Sequence, residues 1–378
     1  MKRFNQVILG GLLTAATAQI GLAQSPDPVS DSTSNPSQSR GLTIRSVRAE
    51  RWDTPAEDRT ELHKSIVKSY IVGANDKLAV DNHFGDITVA LWDRNEMRIE
   101  VAITSSSDDA DRAKIALDAV TIDERRNDNT YVFQTLIADN FRVGLTRNDR
   151  RNVLRVDYRI SMPKANTLVI KNRYGNTTIP NFWAPISVHS MFGNVYGADF
   201  NNSNTRIQSE YGNVSIRDMQ SGKLTMSFGD LDINSGNVLT IVQDYGKLKI
   251  GQTNQVDARM NYADATIGLI RQSAKLRLNY TRRLLLGQVA ASANSIDVES
   301  NYSNVAMPVQ NEANGAFDVT VTHGGFSYPS LPAFRLNAPA TPTPPARPAQ
   351  TRQYIGQFGT GSGPRIRVVA TYGDVRFK

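Results

Sequence analysis

Apolar and polar residues alternate along this chain in short runs, and many of those runs end on an aromatic residue. Leu168 and Ile170, Ile186 and Val188, Leu239 and Ile241, Ile296 and Val298, and Ile366 and Val368 each mark one such run. Period two is the mark of a strand with one buried face. The aromatic is then followed by Gly and by Asn or Asp. The anchors are Phe84-Gly85-Asp86, Tyr174-Gly175-Asn176, Phe192-Gly193-Asn194, Tyr211-Gly212-Asn213, Phe228-Gly229-Asp230 and Tyr245-Gly246-Lys247. Tyr262-Ala263-Asp264, Tyr280-Thr281-Arg282 and Tyr302-Ser303-Asn304 continue the series, and Tyr372-Gly373-Asp374 closes it. From Tyr174 to Tyr302 the aromatics are spaced by 18, 19, 17, 17, 17, 18 and 22 residues. A period near 20 residues is the signature of a solenoid, whose units bury their apolar faces against one another.

After each aromatic the apolar residues return at plus three and plus five, as in Val214 and Ile216 or Leu248 and Ile250. The step of three breaks the alternation at the Gly-Asn/Asp pair, where a positive φ or a bulge is easiest. Each unit therefore reads as strand, corner, strand, turn. No helical pattern separates the units, which disfavours a βαβ sheet. The predicted class is mainly β: a single-stranded β-solenoid with a small α/β capping element before it. Stacked units from Tyr174 to Tyr302 would span roughly 34 Å at about 4.8 Å per step. The aromatics share parity with the core, so they are expected to form an inward file. On that reading Tyr245→Ala costs about 3–5 kcal/mol. Gly229→Val is also expected to destabilise, if that corner needs positive φ.

Residues 90–163 follow another pattern. Met97 to Ile103 alternates as a strand, and Ser107 is a candidate N-cap for a helix that begins at Asp108-Asp109 and runs to 119, with Ala110, Ala113, Ile115, Ala116, Leu117 and Val120 as packing positions. Strands follow at Tyr131–Ile137 and Val153–Met162. This element is expected to cover the first coil, because an end coil exposes an unpaired strand edge.

The start of the chain carries an export signal. Lys2 and Arg3 precede the apolar run from Val7 to Leu13, and Gly21-Leu22-Ala23 offers small residues for cleavage before Gln24. That run is too short for a spanning helix. The organisation is thus 1–23 signal peptide, 24–40 disordered Ser- and Pro-rich linker, 41–163 first coil plus α/β cap, 164–336 solenoid repeats, 337–352 Pro-rich loop and 353–378 C-terminal strand and coil. The expected location is exported: periplasm, outer surface or secreted.

Composition narrows the chemistry. With no cysteine in 378 residues, disulfides, thiolate catalysis and Cys-ligated zinc are excluded. The net charge of +7 falls to +5 when Lys2 and Arg3 leave with the signal. The cations are scattered, with Arg125-Arg126, Arg150-Arg151 and Arg282-Arg283 as pairs. No concentrated basic stripe points to nucleic acid, while anionic envelope polymers remain possible partners.

The segment NHFGDITVALWDRNEMRIEVAI at 82–103, the helix at 107–119, the strand 153–163 ending in Met162-Pro163, the repeated YGN corners and the close RIRVVATYGDVRFK at 365–378 together resemble a bacterial family known as putative adhesins. It is a domain-of-unknown-function group related to head-domain adhesin proteins. The resemblance covers most of residues 70–378. It implies an exported β-solenoid with a role in surface contact and without a known catalytic role. The repeat departs from the pattern at Tyr280-Thr281-Arg282, where the glycine is lost.

Candidate chemistry is sparse. His63, His83, His189 and His323 are far apart in sequence, with no HExxH spacing. Gly359-Thr360-Gly361-Ser362-Gly363 lacks the Lys-Ser/Thr ending of a phosphate loop and reads as a turn. Polysaccharide enzymes of the β-helix type stack carboxylates on an outer face. One residue before the aromatic, the outward positions are Arg173, Met191, Glu210, Ser227, Asp244, Asn261, Asn279 and Asn301. Glu210 and Asp244 stand two coils apart, roughly 9.6 Å at strand spacing, with Ser227 between them. The Asn261, Asn279 and Asn301 file is expected to make an amide ladder. No catalytic, cofactor or metal residue is assigned. The favoured reading is a non-enzymatic envelope or surface scaffold that binds a polymer or protein. A carbohydrate-active β-helix using Glu210 and Asp244 and a periplasmic stress or assembly partner remain as alternatives.

Overall fold

The computed structural model describes residues 59–138, 153–309, 314–337 and 351–378. The leader 1–23, the linker 24–40 and most of the loop 337–352 lie outside the described residues. The described chain is mainly β, with one helix, Ala110–Asp118.

Two parallel ladders organise it. The strands that precede the aromatics pair side by side in register: Lys77–His83 with Thr167–Arg173, that strand with Ile186–Met191, and Ile186–Met191 with Thr205–Glu210. The strands that follow the aromatics do the same, from Ile87–Trp92 and Thr177–Ile179 through Val195–Phe200 to Val214–Ser227. The 49-residue strand Leu231–Asn279 contributes to both ladders as it turns its corners. Between the ladders lies a dry core. Val80, Ile170, Val188, Ile207, Leu224 and Ile241, each four residues before an aromatic, are all buried. Neighbouring units therefore cover one another's apolar faces, as the alternation predicts.

The aromatics do stack, but not inside. From Phe84 to Tyr372 successive ring centroids lie 4.6–5.1 Å apart with planes 2–9° from parallel. From Tyr174 to Tyr372 these residues are 44–51% exposed. The inward file expected from parity is thus corrected to an outer edge. The cause is the backbone at the aromatic itself, whose φ runs from 49° to 67° throughout the file. That left-handed turn breaks the pleat, and the ring swings out of the corner.

The glycine at the corner has a different task from the one the sequence suggests. Only Gly246 among the corner glycines has positive φ, at 127°. A Cβ on Gly229 would instead lie 2.1 Å from the carbonyl oxygen of Gly212 in the preceding unit. Close backbone approach selects glycine here. At Tyr280 the missing glycine does not dissolve the unit. One extra residue is accommodated there, so that Arg283 takes the place of the usual Asn/Asp: its N–H donates to Asp264 Oδ1, and Leu284 pairs with Ala265. Thr281 is buried, and its N–H donates to Ser303 Oγ.

Two kinds of side chain finish the corners. The Asn or Asp that follows the glycine accepts the backbone N–H of the equivalent residue one unit on: Asp86 Oδ1 from Asn176, Asn176 from Asn194, Asn194 from Asn213 and Asn213 from Asp230, at 2.8–3.1 Å. Inward polar residues two before the aromatic donate to the corner carbonyls, as Asn172 does to Gly175, Ser190 to Gly193 and Ser209 to Gly212. Buried backbone acceptors are thereby satisfied where the ladder turns.

Antiparallel pairing closes each end. Thr60–Ile71, Glu96–Ser107 and Val153–Pro163 form an antiparallel set, and the last of them runs parallel to Ile87–Trp92. Val120–Asn127 pairs antiparallel with Thr130–Ile137, which lies along Lys77–His83. The helix starts at Ala110 rather than at 108, and its N-cap is Asp109 rather than Ser107; Asp109 Oδ1 accepts from Asp111 and Arg112. Ser107 ends the preceding strand. Ala113 and Ala116 are buried, whereas Ile115 is exposed.

At the other end, spatial order departs from chain order. The strand Arg365–Thr371 lies between Ser295–Asn301 and Gly315–Thr322, parallel to both. His323, with φ of 55°, stacks on Tyr372 with centroids 4.5 Å apart and so extends the ring file. The sequence pattern hides this unit, because its corner carries His in place of Phe or Tyr.

Candidate functional site

The outward positions form columns at strand spacing, so like chemistry repeats along each face. On the face that precedes the aromatics, Asn261 Nδ2 donates to Asp244 Oδ1 at 2.6 Å and Asn279 Nδ2 to Asn261 Oδ1 at 3.0 Å. Of the amide ladder expected over Asn261, Asn279 and Asn301, the rung between Asn261 and Asn279 is present, and it begins from the Asp244 carboxylate. Beside it runs a charged lattice. Arg277 faces Asp257 at 3.1 Å and Glu299 at 3.9 Å, and Arg367 faces Asp297 at 3.0 Å and Glu299 at 3.9 Å.

These columns border a shallow groove of about 490 Å³ that includes Arg259, Asn261, Arg277, Asn279, Glu299, Asn301 and Arg367. A second hollow of about 300 Å³ lies on the same face, with Thr240, Gln255, Asp257, Lys275 and Asp297 around it. Asn261, Asn279 and Asn301 immediately precede Tyr262, Tyr280 and Tyr302, so the amide column runs next to the half-exposed rings. The groove offers amides and ion-paired charges; the file, whose ring faces cover one another, offers ring edges. That combination suits a ligand with many hydroxyls and some apolar surface.

Glu210 and Asp244 stand where the register places them, on either side of Ser227. Each carboxylate is engaged by its own neighbours. Glu210 meets His189 Nε2 at 3.3 Å and accepts from Gln208 at 3.0 Å, while Asp244 accepts from Asn261. Neither carries an observation that favours acid or base work.

The histidines stay apart. His63 lies near Glu61 and Thr104 on the exposed strand Thr60–Ile71. His83 meets Arg173 Nη1 at 2.8 Å and Asp81 at 3.9 Å. Burial, and then the Arg173 charge, hold the His83 imidazole below its ordinary pKa, against the pull of Asp81. Deep in the same end of the chain, the Tyr158 hydroxyl hydrogen-bonds Thr135 at 2.9 Å, and burial pushes its pKa up to about 12. Among the described residues no group of three or more His, Cys, Asp or Glu side chains could hold a metal. Among them, too, no helix is long and apolar enough to cross a membrane. The Gly359–Gly363 segment makes a turn in which Thr360 bonds Asn314 and Ser362.

No family model matches the chain, and no curated protein matches it. Solved structures similar to it include a putative adhesin from Parabacteroides merdae, 11% identical over 83% of this chain and 96% of that one, with a TM-score of 0.33. A putative adhesin from Bacteroides fragilis is 10% identical over 83% of this chain and 97% of that one, with a TM-score of 0.30. A putative lipid binding protein from Parabacteroides distasonis is 9% identical over 83% and 96%, with a TM-score of 0.31. The first two carry the name that the sequence resemblance supplied.

Proposed function

We propose that this chain is an exported, non-enzymatic β-solenoid scaffold that binds an extended polymer of the cell envelope or surface along the face beside its ring file. The organisation proposed with it is the one read from the sequence: a signal at 1–23, a tether at 24–40, a capped first coil to residue 163, repeats to 336, the loop 337–352 and a closing strand and coil at 353–378. The observation that carries the reading is the unbroken row of half-exposed rings next to the amide and charge columns. Exposed apolar surface of that continuity marks a site of contact more often than a passive surface. A row at strand spacing also fits a ligand that itself repeats.

The test is retention of the purified protein by insoluble envelope polysaccharide and by whole cells. Asn279→Ala with Tyr280→Ala should weaken retention on a folded protein. Equal retention of that variant, or no retention of the parent by any envelope fraction, would remove the basis for the reading.

A further inference from the structure

On the other face, that of the strands following the aromatics, we infer a second binding site, one that takes a ligand bearing two phosphate groups. It is independent of the reading just given and lies where the repeat breaks. Asp264, Asn304 and Asp374 hold the column position after the corner, but Arg283 stands in that position between Asp264 and Asn304. Lys247 is a second cation in this column, and both it and Arg283 keep the column's backbone bond to the preceding acid; Arg283 is set apart by the further cations beside it.

In the next column Leu285, Ala306 and Arg376 lie one above another in register. The small side chain of Ala306 leaves a notch, and the cavity over it measures about 540 Å³. Arg283, Arg376 and Lys378 all line it. None of the three has a carboxylate within ion-pair distance among the described residues, whereas Arg282 beside them is paired with Asp264. The acid on the rim, Asp374, already accepts the N–H of Gly325. Three unpaired basic side chains against one acidic side chain give the notch an excess of cationic groups.

Arginine presents a planar fork that matches phosphate oxygens two at a time. Arg283, just before the strand Leu284–Val289, and Arg376, in Val375–Phe377, lie two strand spacings apart across the sheet and two residues apart along it, about 12 Å between backbones. Two forks set that far apart suit two linked anionic groups better than one. The shared chemistry is a diphosphate or a pair of phosphate headgroups.

The experiment uses the full chain at low salt, with inorganic pyrophosphate as probe in calorimetry and with vesicles of phosphatidylglycerol or of phosphatidylcholine. Pyrophosphate should bind, and Arg283→Ser with Arg376→Ser should weaken it by about tenfold or more. Ala306→Leu keeps every charge and fills the notch, so it should weaken binding as well. Arg217→Ser, which removes an ion-paired cation elsewhere, should leave binding unchanged. Retention by phosphatidylglycerol vesicles that is lost in the same variants would identify lipid headgroups as the phosphate source; pyrophosphate binding without such retention would identify a soluble source. The inference falls if pyrophosphate does not bind, if the notch variants bind as the parent does, or if Arg217→Ser weakens binding equally.

Discussion

Tyr302 stacks on Tyr372 with ring centroids 4.6 Å and planes 4° apart, and Tyr372 in turn carries His323. The final strand has entered the sheet between two segments that precede it in the chain. Its edges are covered on both sides by Ser295–Asn301 and Gly315–Thr322. The last strand segment, Val375–Phe377, is likewise held between Val305–Met307 and Phe326–Ser327.

A chain ending at residue 363 should therefore fail to fold cooperatively. It would lose the buried Ile366, Val368, Ala370, Val375 and Phe377, and it would open two strand edges to association. Phe377→Ala alone should cost about 3–5 kcal/mol, since its ring packs edge-on against Phe317 and Phe326. Urea denaturation measures the single variant, and size-exclusion chromatography of the truncated chain should show aggregates. A monomeric, cooperatively unfolding truncated chain would contradict the intercalated arrangement.

Tyr245 separates the two effects of the ring file. Its ring stacks on Phe228 and Tyr262, but it is 45% exposed. Tyr245→Ala should cost only about 1–3 kcal/mol, from two stacking contacts of about 0.5–1.5 kcal/mol each. Because φ is 57° there, Tyr245→Gly should be more stable than Tyr245→Ala by about 1 kcal/mol despite the smaller side chain. Thermal unfolding of the two variants decides the order, and a more stable alanine variant would refute the strain argument.

The period, the strand parity and the core were legible because each unit repeats the same burial. Leu168 with Ile170 and Ile296 with Val298 mark the inner face by alternation alone, and all four are buried. The side to which the rings turn was not legible. Parity counts residues as if the pleat continued, and one left-handed residue at the end of the run reverses the last side chain. The unit at His323 was hidden by its histidine, although Val319, Val321 and the glycines after it carry the pattern. The place of the C-terminal strand depends on pairing between distant segments, and no local pattern encodes that. The amide ladder could be read from spacing, whereas the notch over Ala306 depended on register between three separate segments.

Gly229 tests the origin of the corner glycines. Its φ is not in the left-handed region, yet a Cβ would meet the Gly212 carbonyl oxygen at 2.1 Å. Gly229→Ala should cost about 1–3 kcal/mol through forced separation of adjacent strands. Ala263→Gly, at the equivalent corner where a Cβ is already accommodated and buried, should change stability by less than about 1 kcal/mol. Chemical denaturation of the two variants checks the contrast. A neutral Gly229→Ala would show that the corners have slack.

His83 should make the capped end acid-sensitive in a window separate from that of the carboxylates. Its imidazole is partly buried and accepts from Arg173, which keeps it neutral and lowers its pKa. Below the ordinary imidazole value of about 6.5 the unfolded chain then binds a proton that the folded chain does not. Stability from this group is complete above that value and declines as pH falls through the folded pKa. Asp199 and Glu124 act at lower pH. The hydrogen bond from Arg217 lowers the first, that from Tyr70 lowers the second, and their stabilisation is lost only as pH falls below about 4. Melting temperature measured between pH 7.5 and pH 3 should thus show two declines, and His83→Gln should remove only the upper one. An upper decline that persists in His83→Gln would assign it to another group and would separate the Arg173 contact from any role in acid response.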